Sequence, residues 1–134
     1  MEDVVVKAAD SLWAKKSDHS GELKWLPLIV HLQDTMNVAG FLWNHWISSG
    51  QREGIVSQIQ NGNETLAERL VIFLAGIHDI GKATPAFQTQ KGFSSSEDLD
   101  SELIEKLERA GFSDLGDFDI RYGRFTHHAL AGEV

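Results

Sequence analysis

From Leu70 to Ile77 the chain offers only apolar or small side chains on every side of a helix. Such a segment has no polar face to turn to water, so the pattern predicts a central buried helix. Asn63 is a good N-cap candidate and Glu64 falls in the first turn, so the helix is expected to start there. It runs through "TLAERLVIFLAGIHDI", with Gly81 as the expected stop. The run ends on His78 and Asp79 side by side. An aspartate at the end of a buried helix needs a reason, because carboxylates are rarely buried unless paired or bound to a metal.

The other elements must pack on this helix. "LPLIVHLQDTMNVAGFLWNHWI" carries Pro27 in a first-turn position, and Leu28, Leu32, Thr35, Ala39, Leu42 and Trp46 recur at spacings of three and four. Gly50 and the polar residues after it are expected to end that helix. Pro85 restarts the chain in a short helix through Phe87. After a Gly/Ser stretch, Ser95 or Ser96 caps an amphipathic helix with Leu99, Leu103, Leu107 and Ala110 on one face and Gly111 at its end. "SDLGDFDIRYGRF" reads as loop, and "THHALAGEV" as the opening of a further helix. The chain stops as that helix begins, which reads as a C-terminally truncated fragment. "DVVVKA" is the only short strand candidate. The predicted class is all-α, a helical bundle in one domain over 1–134.

Composition narrows the functions. With 134 residues, 42% of them hydrophobic, the chain can bury one real core. No cysteine is present, which excludes disulfides and thiolate metal sites. No apolar run is long enough to cross a membrane, and "MEDVVVKAAD" has no basic region leading an apolar one, so no signal peptide is read. A cytoplasmic protein is expected. The net charge of -8 lacks the basic footprint of a module that binds nucleic acid by itself. A bound metal, or a basic surface on another domain, can still bring an acidic chain to phosphate.

The histidines supply a candidate metal site. His31 lies beside the apolar stripe of the first long helix, His78 and Asp79 close the central one, and His127 and His128 open the last segment. Imidazole and carboxylate ligands suit divalent transition metals, and the two oxygens of Asp79 can bridge two ions. Two such ions can clamp a phosphodiester and activate water. Lys82, about one turn beyond His78, can hold a phosphate oxygen. Each feature has a plainer reading: a core histidine, a chance His-Asp pair, a surface double histidine. The metal reading draws its force from all of them standing at or near apolar helical segments that must pack together. His19 and His45 are read as surface residues. Trp13, Trp25, Trp43 and Trp46 could stack bases but are read as packing residues.

The ordered motifs "SLWAKKS", "WLPLIVHLQDT", "HDIGKATPAFQ" and "HHALAGE" resemble the N-terminal HD nuclease domain of the CRISPR-associated nuclease–helicases of type I systems, within the HD phosphohydrolase superfamily. The resemblance covers almost the whole chain. It implies a helical domain holding one or two divalent transition-metal ions, whether Mn, Fe, Co, Ni or Zn. It also implies cleavage of single-stranded DNA by metal-activated water, a helicase domain in the same protein and recruitment by an RNA-guided surveillance complex. Carried onto this chain, His31 and His78 bind the first ion, Asp79 bridges both as a catalytic residue, and His127 and His128 bind the second. Lys82 meets the scissile phosphate. Two departures stand out: no histidine lies between Asp79 and His127, and the family's late aspartate ligand has no counterpart here. Two other functions fit the same residues, an HD phosphohydrolase of small nucleotides and an inactive HD docking fragment.

Overall fold

The first described secondary structure of any length is a β-hairpin. In the computed structural model, which describes residues 8–19, 22–90, 97–113 and 115, β1 (Trp13–His19) pairs antiparallel with β2 (Glu22–Pro27). The all-α expectation is therefore corrected to a mostly helical fold with a two-stranded sheet. The hairpin escaped detection because its inner face does not alternate cleanly. The register shifts between Trp13 and Lys15, so Trp13 and Ala14 are both buried. The next buried position is Lys16, which reads as polar in sequence. Its ammonium pairs with Asp100 and lies 4.3 Å from the centre of the Trp13 ring. "DVVVKA", the strand candidate, lies almost wholly outside the described residues.

Among the described residues five α-helices follow: α1 (Leu28–His45), α2 (Ser49–Val56), α3 (Glu64–Ile77), α4 (Pro85–Gln88) and α5 (Glu97–Arg109). Short 3-10 turns cover Gln60–Gly62 and Ile80–Ala83. Pro27 ends β2 instead of opening α1, and the Leu28 N–H donates to the Leu12 carbonyl at 2.8 Å. Gly50 does not close an element; it lies in α2, which opens with a capping box between Ser48 and Gln51. Asn63 caps α3 by accepting from the Leu66 N–H at 3.0 Å. Pro85 opens α4 as expected. Gly111 takes φ +100°, a left-handed value that suits glycine after α5, and the Phe112 N–H returns to the Leu107 carbonyl. Ser95 and Ser96 lie outside the described residues, as do "THHALAGEV" and most of the segment before it.

The chain divides into two compact units, Met1–His31 with Asp79–Val134, and Leu32–His78. The first holds a core of Trp13, Leu99 and Leu103, with Trp25 and Phe87 packed against it. Leu107 is also buried, so the leucine stripe of α5 faces inward as its spacing predicts. In the second unit, α1 and α3 approach closely. A Cβ on Gly76 would fall 2.6 Å from Met36 Cγ, and Ile72 packs at Gly40. Each glycine thus receives a larger side chain of the other helix.

That narrow contact overturns the expectation that α3 is buried all round. Ala67 and Gly76 are its buried residues, while Leu66, Leu70, Phe73, Leu74 and Ile77 are exposed. On α1 Trp43 is buried, whereas Leu42 is exposed, as is Trp46 just past the helix end, at 77%. No helix among the described residues is long and apolar enough to cross a membrane.

Candidate metal centre

His31 sits in the first turn of α1, just after the helix start that Leu28 fixes to Leu12. Asp79 follows the end of α3 and opens the Ile80–Ala83 turn. That tight turn brings the Lys82 N–H to the Asp79 carbonyl at 2.9 Å. The same curl places Lys82 Nζ 2.7 Å from Asp79 Oδ2. His31 Nε2 lies 2.7 Å from the same oxygen. Asp79 is 3% exposed and Lys82 5%. A carboxylate so buried is tolerable because an ammonium and an imidazole converge on it. The question raised by the sequence is answered in that ion pair.

His78 is the C-cap of α3. Its Nδ1–H donates to the Ala75 carbonyl at 2.7 Å, which satisfies an acceptor near the helix end. In a neutral ring this bond puts the lone pair on Nε2, the arrangement commonly seen in metal-ligating histidines. His78 also precedes Asp79 directly in the chain, so the two residues share one peptide unit.

Of the remaining candidates, His127 and His128 lie outside the described residues. His45 is exposed and stacks on Phe41 with ring centroids 4.6 Å apart. His19 falls on β1. Trp13 and Trp43 are buried, in keeping with a packing role, and Trp25 packs against the first core. Lys106 holds its ammonium 3.6 Å from the Trp25 ring centre. Burial pushes the Lys106 pKa down, against an opposing pull from Asp10.

Gln88 belongs to the quoted motif "HDIGKATPAFQ" but received no role from the sequence. It is 3% exposed. Its Oε1 accepts from the Trp13 N–H at 3.1 Å, and its Nε2 donates to the carbonyls of Trp13 at 2.8 Å and Lys82 at 2.7 Å. Its own carbonyl accepts from Trp13 Nε1 at 3.1 Å. Only the short α4 after Pro85, which carries a glutamine to the inner side, hinted at this, and periodicity cannot read so short a helix.

The donor set fits a divalent transition ion. An imidazole nitrogen and a carboxylate oxygen already converge, and both are donor types that such ions take.

Comparison with known proteins bears on this geometry. A family model described as "Cas3, HD domain" matches residues 13–134. The CRISPR-associated nuclease/helicase Cas3 of Streptococcus thermophilus is 51% identical over 126 residues, which is 92% of this chain and 14% of that protein. The chain therefore spans about one-seventh of the length of that relative. No solved structure matches. A match over nearly the whole chain, on a chain whose α1 residue His31 meets Asp79 of the "HDIGK" turn, shows that this chain belongs to the Cas3 HD domain family.

Proposed function

We propose that this chain is a metal-dependent nuclease domain acting on single-stranded DNA, within a nuclease–helicase of CRISPR interference. The observation that carries the reading is the cluster of half-buried His31 with buried Asp79 and Lys82 in a chain of this family. His31, His78 and Asp79 would hold the first divalent ion, and His127 and His128 a second. When bound, such an ion supplies a Lewis-acidic centre that lowers the pKa of water and polarises a phosphodiester. Lys82 holds Asp79 Oδ2 independently of His31, so the carboxylate would keep a fixed partner while serving as ligand. For His31 Nε2 to serve as a ligand its lone pair would have to face the ion, with the ring N–H on Nδ1, so its bond to Asp79 would be given up. An ammonium has three donors, and the bond to Asp79 engages one of them. Lys82 can therefore steady Asp79 and carry positive charge toward the scissile phosphate. The helicase region named for the Streptococcus relative, and an RNA-guided surveillance complex in the cytoplasm, are the partners this reading implies.

The test is elemental analysis of the purified gene product beside its Asp79→Ala variant, followed by cleavage of end-labelled single-stranded DNA with Mn2+. Stoichiometric transition metal in the wild type, lost with cleavage in Asp79→Ala, is the expected result. Equal cleavage by Asp79→Ala would overturn the site. Phosphate release from small nucleotides without DNA cutting would move the protein to nucleotide hydrolysis.

A further inference from the structure

We infer that Gln88 is a positioning residue of the metal centre, a side chain through which both halves of the His31–Asp79 pair are set. The inference rests on the metal-binding reading above and extends it to a residue outside the ligand set. Two chains of main-chain bonds lead away from Gln88. In one, its Nε2 donates to the Lys82 carbonyl, the Lys82 N–H donates to the Asp79 carbonyl, and Lys82 Nζ grips Asp79 Oδ2. In the other, its amide takes both the N–H and the carbonyl of Trp13. Trp13 is next to Leu12, whose carbonyl receives the Leu28 N–H at the start of α1. His31 stands one turn further on.

The amide group suits the position better than any other side chain. The site presents one N–H and two carbonyls, and a primary amide offers one acceptor and two donors. Glutamate would oppose a carboxylate to two carbonyl oxygens. Methionine keeps the length and makes none of the bonds. Burial makes each bond matter, because a buried carbonyl stripped of its donor is destabilised and will shift toward water. Asp79 opens a single 3-10 turn between α3 and α4, and Gln88 ties that turn down at the Lys82 carbonyl. A ligand displaced by a fraction of an ångström binds an ion less well without any loss of overall fold.

The experiment compares wild type, Gln88→Met and Leu103→Ala in the full chain. Leu103 lies in the core with Trp13 and Leu99 and is not one of the proposed ligands, so its variant loses stability for another reason. Mn2+ affinity is measured by isothermal titration calorimetry at a temperature where circular dichroism shows all three folded. In parallel, NMR follows the hydrogen-bonded imidazole N–H of His31 in metal-free protein. The expected result is a loss of Mn2+ affinity of about tenfold or more in Gln88→Met, in the range seen for residues that orient ligands. Leu103→Ala should stay within about threefold of wild type. The His31 N–H signal should be lost or shifted in Gln88→Met alone. Wild-type affinity in Gln88→Met, or an equal loss in Leu103→Ala, would overturn the inference. If wild type itself takes no Mn2+, the metal reading fails, and the His31 signal alone decides whether Gln88 sets the pair.

Discussion

Asp79 and Lys16 are two buried charges that the sequence treats very differently. Asp79 announces itself, because an acid after eight apolar or small residues has no ordinary explanation, and the structure supplies two partners for it. Lys16 is silent in sequence, sitting beside another lysine in "WAKKS". Its partner Asp100 is 84 residues away, and such long-range pairing leaves no local pattern. The Lys16 ammonium also donates to the Gln90 carbonyl at 2.6 Å. Buried ion pairs lose most when one partner is removed, since the other is left charged and dry. Asp100→Asn should therefore destabilise the chain by about 3 kcal/mol. The paired replacement Lys16→Met with Asp100→Leu should recover much of that loss, though not the bond to Gln90. Urea unfolding of the two single variants and the double variant measures the coupling. Additive losses would show that the pair does not act as a unit.

At the scale of elements, legibility followed local chemistry. The start of α3 could be read because an N-cap is a property of four adjacent residues, and Asn63 bonds to Leu66 as expected. Asn63→Ala should cost about 1 kcal/mol, seen as a lower urea midpoint with unchanged slope. A midpoint equal to wild type would mean the helix start is held by other contacts. The leucine stripe of α5 was equally plain, being three residues at regular spacing. The hairpin was not, because a bulge puts Trp13 and Ala14 on the same side and a lysine fills the next inward place. The burial of α3 departs from its hydrophobic pattern for a related reason. Hydrophobicity states what a helix can bury, while the neighbours decide what it does bury. Here Gly76 and Gly40 give α3 a close but narrow contact with α1. Of the site, the "HD" pair and His31 were visible as residue types, but the support from Gln88 was not. That support depends on an amide meeting main-chain groups of Trp13, 75 residues away.

For the whole molecule, charge sets how DNA can approach. The chain carries 12 basic residues against 20 acidic ones. Two of the basic side chains described here, Lys16 and Lys82, are buried on carboxylates and add little to an outward positive field. Each phosphate a protein neutralises releases counterions, so binding driven by Lys and Arg falls steeply with salt. A surface this acidic offers little of that drive. The proposed nuclease reading therefore requires the ion to bring phosphate to the site, with any broad basic surface lying elsewhere in the full protein. Fluorescence anisotropy of a labelled oligo(dT) should show no binding to this chain in EDTA at about 0.15 M salt. Addition of Mn2+ should raise the anisotropy, and Asp79→Ala should cancel the rise. The metal-dependent part should vary weakly with salt, since it comes from a short-range contact inside a buried site. Tight binding in EDTA with a steep salt slope would instead reveal a basic track that the net charge conceals, and would separate DNA binding from the metal centre altogether.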